Sequence, residues 1–479
     1  MEAEMIEQRS NPVASLCLTP PSGLKAPEGA SQADLDRMLK QLYEKRKRNV
    51  VQTRYWEARH LLQDFGISLP PQMRNINVVL GWPAIVVTAL ASRIMFDGCA
   101  TVGDNDLGVS DILADAMIEA TLPQAVTSAL VHSCSFVIAT AGDTKTGEPP
   151  IVMTALPATH ATGIWEPRTN TLNDCLCITE EDSVGAATII WYSRRHITTY
   201  TRTGRAKWAA KSQPNPTGRC MAVLLAYRPE LTKPFGSPRI SRPVMALTDA
   251  AMRTLARSEA HAEFFASPQR YVLGADPSLF ELDRWKWVIS KLPVIPKDED
   301  GDVPKMDQWP QVSMSPHFEH LRAIASLLAG EASLPLDALG IVQDNPSSAE
   351  AIYAAKEPLV MEALYAERIW GAQLRHLITT AVMLHKHLDR PPEELRGMRV
   401  KWLNPATPSV VSAADAMSKF VNAVPWAGGS EVTLSGFGFD DAQIMRLMAD
   451  KQRGQGQTAL DQLLAAAAAP PAGIEPAAV

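Results

Sequence analysis

The sequence predicts an α/β protein. Two amphipathic helical stretches, residues 243–266 and 316–329, and a run of short apolar segments divided by turn residues between 135 and 229 carry that reading. The length of 479 residues adds a third observation. It exceeds the size at which one hydrophobic core keeps growing, so two or more structural regions are expected.

The first thirty residues carry Pro12, Pro20, Pro21, Gly23, Pro27 and Gly29 and are expected to be irregular or mobile. Ser31 or Asp34 can then cap a helix whose Leu35, Met38, Leu39 and Leu42 share a face. Its basic run, Lys45 to Arg48, reads as a solvated face, with contact to DNA or an acidic neighbour as the sharper alternative. Asn77, Gly81, Pro83, Thr88 and Arg93 interrupt the apolar stretch that follows, which makes it core and not a membrane span. Ile112, Leu113, Ala116, Met117 and Ala120 have helical spacing, and Pro123 is expected to bend or break that helix. The period then changes: SFVIATA, DCLCITE, GAATIIWYS, HITTYT and CMAVLLAYRP read as strands, with Ser135 to Pro229 mostly β.

Pro243 suits the first turn of a helix and Pro268 marks its end. Roughly 24 residues span on the order of 36 Å, long for a compact domain. Ser315 as cap and Pro316 as first residue open a second helix that runs to Gly330. Val244, Leu247, Leu255 and Phe265 on the first, with Phe318, Leu321, Ile324 and Leu328 on the second, are the candidate packing residues of the pair. Between them, short apolar runs, prolines and the acidic KDEDGD read as a small β-containing excursion. Asp344, Asn345 and Pro346 make a turn before a further long helix through Leu388, which Pro358 should kink or divide. Shorter helical patterns at Ser412 to Phe420 and Asp440 to Asp450 are separated by Pro425 and a glycine-rich turn-strand segment.

The wording of PFGSPRISRPVMALTDAAMRTLARSEAHAEFFASPQRYVLG, DEDGDVPKMDQWPQVSMSPHFEHLRAIASLLAGEASLP and LGIVQDNPSSAEAIYAAKEPLV closely resembles tailed-bacteriophage portal proteins of the SPP1-like family. The likeness covers about Asn75 to Leu388, strongest in these central motifs. It implies a phage-portal fold with a mixed wing, long stem helices, a small α/β clip and a helical crown, repeated around a cyclic ring. By this resemblance residues 1–30 are a flexible segment, 31–233 the N-terminal helices and wing, and 234–266 the first stem helix with its approach. Residues 267–312 are then the clip, 313–330 the second stem helix, 331–390 the channel-loop region and long kinked helix, 391–465 the wing return and crown, and 466–479 a flexible tail.

The function implied is a ring at the unique capsid vertex, through which double-stranded DNA is packaged and ejected without sequence specificity. The implied partners are further copies of the chain in a dodecamer, the terminase large subunit, a head-tail adaptor, the major capsid protein and a scaffold protein. The location implied is the virion, with the host cytoplasm during assembly. Gln343, Asp344, Asn345, Ser347, Ser348 and Glu350 are candidate channel-loop residues, although the serines suit helix capping equally well. A capsid scaffold or connector ring that does not conduct DNA is the alternative.

Composition and motifs argue against chemistry. The net charge of −6 gives no global basic surface for coating nucleic acid, yet a channel that lets a polyanion slide has no use for a tight phosphate grip. His132, His160 and His196 lack metal-ligand spacing, the glycines form no phosphate loop ending in Lys-Ser or Lys-Thr, and no nucleophile-base motif stands out. No catalytic, cofactor or metal residue is therefore expected. Asp298, Glu299, Asp300 and Asp302 surround Gly301 like an oxygen-rich calcium loop, but the terminal glutamate such a loop needs does not follow. They read as a solvated turn of the clip, with docking to a basic partner as the functional alternative. The cysteines at 17, 99, 134, 175, 177 and 220 read as reduced thiols, and no signal-peptide pattern or uninterrupted membrane span is evident.

Overall fold

The computed structural model describes residues 16–60, 78–101, 106–204, 206–266, 270–273, 305–308, 310, 312–341, 349–406, 410–437, 439 and 443–454. The chain divides into two units, Met1–Pro405 and Ala406–Val479. In the first unit α1 (Gln32–Trp56), α2 (Trp82–Ala91), β1 (Phe96–Ala100), α3 (Val109–Asp115) and α4 (Ile118–His132) come before the strands. These are β2 (Cys134–Ala141), β3 (Ile151–Pro157), β4 (Ala161–Glu166), β5 (Thr171–Asp182), β6 (Gly185–Ser193), β7 (His196–Gly204), β8 (Lys207–Pro214) and β9 (Ala222–Ala226). There follow α5 (Arg242–Ala266), β10 (Arg270–Leu273), β11 (Lys305–Gln308), α6 (Ser315–Glu331), α7 (Ala349–His385) and β12 (Arg399–Trp402).

Two antiparallel sheets form the β region. A three-stranded sheet in the order β3-β2-β9 has α4 and α7 packed against it, and six successive residues of β2, Cys134 to Ala139, are buried. Burial of consecutive residues means that both faces of the strand are covered. The other sheet is a five-stranded meander, β4 to β8. Alternation along β5 divides its two faces: Cys175 and Cys177 enter the main core, while Leu176 and Ile178 join Leu35, Met38 and Leu42 of α1 in a second one. The thiols are structural. Burial pushes Cys134, Cys177 and Cys220 up to about 12, and all six cysteines are free.

Several sequence expectations need correction. The break in the 109–132 helical stretch falls at Ala116 and Met117, where Met117 has a left-handed φ of 49°, and Pro123 sits inside α4. β8 was not anticipated, because an edge strand exposed along most of its length shows no apolar alternation. Ser31 caps α1 by accepting from the Asp34 amide, but Ser315 lies within α6 and Met314 holds the cap position. α7 continues unbroken through Pro358 from Ala349 to His385, so it is not divided there. Residues 16–30 contain no helix or strand, yet Leu24 is buried and the Ser22 carbonyl accepts from the Trp208 indole.

β12 pairs antiparallel with β1, which carries the chain after α7 back to the start of the first unit. In the second unit, α8 (Val410–Ala423) precedes a short 3-10 turn and α9 (Glu431–Gly436), and residues 443–454 are helical. The turn-strand segment expected there is helical instead. Ser430 closes the start of α9 by accepting from the Thr433 amide.

Candidate functional site at the long helices

α5 and α6 pack together as the two long helices that the sequence singled out. Of the residues chosen for their packing set, Val244, Ile324 and Leu328 are buried, Leu247 and Leu321 lie partly buried against the main core, and Leu255 is half-buried. Phe318 is 54% exposed. The Phe265 side chain lies outside the described set. Further along α5 the buried positions are mostly small, with Thr254, Ala256, Ser258 and Ala260 replacing the large residues of a conventional apolar stripe. Small side chains allow close backbone approach. Near the far ends of the two helices His261 Nδ1 lies 3.0 Å from His317 Nε2.

Beyond α5 and before α6, β10 and β11 form an antiparallel ribbon in the register Arg270 with Gln308 to Leu273 with Lys305. The Tyr271 hydroxyl donates to Asp307 across it. The ribbon brings the ends of the intervening excursion together. Asp298, Glu299, Asp300 and Asp302 lie outside the described residues, as do Gln343, Asp344, Asn345, Ser347 and Ser348. Glu350 falls in the first turn of α7, with its side chain outside the described set.

At their other ends the helices are anchored by a buried polar node that the sequence did not disclose. Arg239, in the PFGSPR approach to α5, is 5% exposed; its Nε donates to the Val86 carbonyl of α2 at 2.6 Å and its Nη2 to the Ala332 carbonyl after α6 at 2.7 Å. Its Nη1 donates to the Tyr227 hydroxyl at 2.9 Å and pairs with the Glu362 carboxylate of α7. Tyr227 also donates to Glu362, and Arg228 pairs with the same carboxylate from the surface side. Five segments of chain therefore share one guanidinium and one carboxylate. Burial pushes the Tyr227 hydroxyl up to about 12, so it remains a donor across the physiological range.

Backbone geometry holds Arg239 in place. The amides of Tyr227 and Arg239 donate to the carbonyls of Ser133 and Leu130, and Ser237 donates to that of Tyr227. Gly236 adopts a left-handed φ of 72°, and a Cβ there would stand 2.1 Å from the Tyr227 carbonyl oxygen. Only glycine fits that turn. Two further contacts tie α1 into the same unit: Tyr55 donates to Asp249 of α5, and Arg46 forms a buried ion pair with Glu181 while donating to the Cys17 carbonyl. The solvated-face reading of Lys45 to Arg48 thus holds for three of its residues and fails for Arg46, which is completely buried.

The isolated histidines have local partners. His132 lies between Thr53 and Ser128, and burial lowers it to about 4, which keeps it neutral. His160 contacts Thr159 and lies 3.6 Å from Glu181. Among the described residues no group of three His, Cys, Asp or Glu side chains is arranged to hold a metal, and no helix is long and apolar enough to cross a membrane.

The family described as phage portal protein, SPP1 Gp6-like, matches residues 31–453. The portal proteins of Mycobacterium phage D29 and Mycobacterium phage L5 are each 27% identical to this chain, over 386 and 387 residues, which is 77% of this chain and 77% of each relative. A chain from the solved structure named "Neck of native GTA particle computed with C12 symmetry" is similar with a TM-score of 0.45 and 12% identity, covering 82% of this chain and 93% of that one.

Proposed function

This chain belongs to the SPP1 Gp6-like family of phage portal proteins, and from that membership we propose that it works as a ring at the unique vertex of the capsid, through which double-stranded DNA is packaged and later ejected. The single observation that supports assembly is an exposed apolar face on α7. Tyr353, Met361, Leu364 and Tyr365 lie exposed on one side of its axis. Neighbouring copies cover this surface. A head-to-tail contact between unlike surfaces closes into a ring when its rotation divides the circle, and twelve copies is the number we propose.

The work is mechanical, with no covalent step. Cargo of arbitrary sequence requires contacts to the phosphate backbone and none to base edges, and a chain of net charge −6 avoids the salt-sensitive grip that a basic tube would impose. The loop at 343–350 faces the axis, where Asn345, Ser347 and Ser348 exchange polar contacts as DNA advances. The clip at 267–312 docks the terminase large subunit during packaging and a head-tail adaptor afterwards, with Asp298, Glu299, Asp300 and Asp302 offered to basic surfaces. Capsid and scaffold proteins meet the wing. The Arg239 node joins the stem helices to α7, so a push on the stem is passed to the helix that begins at the channel loop.

Met361→Asp tests the assembly step. Met361 is 57% exposed in the single chain, so a charge there costs the monomer less than about 0.5 kcal/mol, whereas in the ring it is buried without a partner. Native mass spectrometry should find folded monomers in place of rings. Rings of wild-type mass and thermal stability would show that this face of α7 is not an assembly surface.

A further inference from the structure

A cavity of about 890 Å³ opens in the first unit between the turn joining β4 and β5, the loop before β9, the C-terminal half of α7 and the 390–396 segment that follows it. Its charge is one-sided. Arg194, Arg219, Arg375, Arg390 and Arg396 line it, against the single carboxylate of Glu393. Among the described residues none of these five guanidiniums forms an ion pair. Nothing in the wing or stem described above uses them.

Arg219 is the key to what the cavity takes. Its Nη2 lies 3.0 Å from His376 Nδ1, which must accept and therefore belongs to a neutral imidazole. Its Nη1 is buried and has no hydrogen-bond partner among the described residues. A shielded cationic donor with nothing to donate to is costly, and the nearby positive charge of Arg194 raises that cost. Burial and the two arginines also hold His376 down at about 4, so it adds no compensating charge of either sign. An anion entering the cavity would offset the repulsion among the five arginines that line it.

The lining narrows the class of anion. Guanidinium forks match the paired oxygens of phosphate, and several forks around one cavity suit a group with more than two anionic oxygens. The volume falls in the range of ordinary small-ligand sites, far above what one carboxylate side chain fills. The lining contains no Phe, Tyr or Trp, so there is no platform on which a base could stack. We propose that this basin is a binding site for phosphate groups, with the Arg219 guanidinium as its inner donor and Arg194, Arg375, Arg390 and Arg396 around it. The phosphate comes either from a small free phosphate or from the backbone of DNA lying against the ring.

The test uses assembled full-length rings. Inorganic phosphate, pyrophosphate and a short mixed-sequence DNA duplex are titrated separately by calorimetry, and melting is followed in parallel. Wild-type rings should bind and melt higher as ligand is added, whereas Arg219→Met should bind at least about tenfold more weakly. Without ligand, Arg219→Met should melt no lower than wild type, because it removes a buried charge that lacks a partner; a purely structural role for Arg219 would lower it. Arg219→Lys, which keeps the charge and loses the fork, should bind with intermediate strength. Competition between duplex and pyrophosphate, with loss of both in Arg219→Met, assigns the site to the DNA backbone. Saturation by phosphate or pyrophosphate that duplex cannot displace assigns it to a free phosphate. Equal binding by wild type and Arg219→Met overturns the proposal. Binding by monomers but not by rings overturns it as well, since a neighbouring copy would then occupy the basin.

Discussion

Arg239 and Glu362 show what a buried pair does at the scale of single residues. Taking one partner away leaves the other charge in the interior, so Arg239→Leu should destabilise the chain by about 3–5 kcal/mol, read by urea unfolding in the Met361→Asp monomer, where assembly does not contribute. A loss below about 1 kcal/mol would mean that Arg228 alone compensates Glu362. Glu367 gives a pH-dependent case. It is 5% exposed, its Oε1 has no hydrogen-bond partner among the described residues, and burial raises its carboxyl from 4.5 to about 7. Between those values the folded chain holds a proton that the unfolded chain has released, so stability falls as pH rises from about 4.5 through about 7. Glu367→Gln should therefore stabilise the monomer at pH 8 by on the order of 1–2 kcal/mol and change little at pH 4.5. An equal gain at both pH values would rule out titration of Glu367 as the cause. Neither group was legible in the sequence. Arg239 and Glu362 are 123 residues apart, and no spacing rule connects them; Arg46 was hidden differently, inside a charge run whose other members are solvated.

Secondary-structure elements were read more easily than their partners. α5 and α6 begin and end within two residues of the proline and glycine signals, because Pro243 and Pro316 fit a first helical turn and the apolar spacing between is regular. Pro358 misled. It removes one amide donor, but the other bonds of a 37-residue helix and the burial of Leu359, Ala363, Ala366 and Trp370 keep α7 continuous. β8 misled in the opposite sense, its eight residues being held by backbone pairing to β7 with little apolar burial. The proposed channel loop is tested at this scale. Ser347→Lys with Ser348→Lys should leave rings intact and slow DNA packaging at low salt, with the defect easing as salt screens the added attraction. The paired alanine substitutions should package normally. Wild-type packaging by the lysine pair at low salt would remove the loop from the DNA path, and failure to form rings would make it a structural turn.

For the whole molecule, we propose that copies of this chain close into a ring with an axial passage. That helix and sheet are mixed, and that the two long helices matter, could be read from periodicity, and the family could be read from the wording around them; the narrower α/β class does not fit sheets that pair antiparallel throughout. The covering of the apolar α7 face could not, since a single chain does not specify which neighbour meets it. The most direct measurement is single-particle electron microscopy of purified full-length protein, with particles viewed along and across the symmetry axis. The expected result is one closed ring with an axial opening wide enough for duplex DNA, with Tyr353, Met361, Leu364 and Tyr365 buried between adjacent copies and the 343–350 loop at the passage. A ring with a sealed centre, an open filament, or a monomer at every concentration would contradict it.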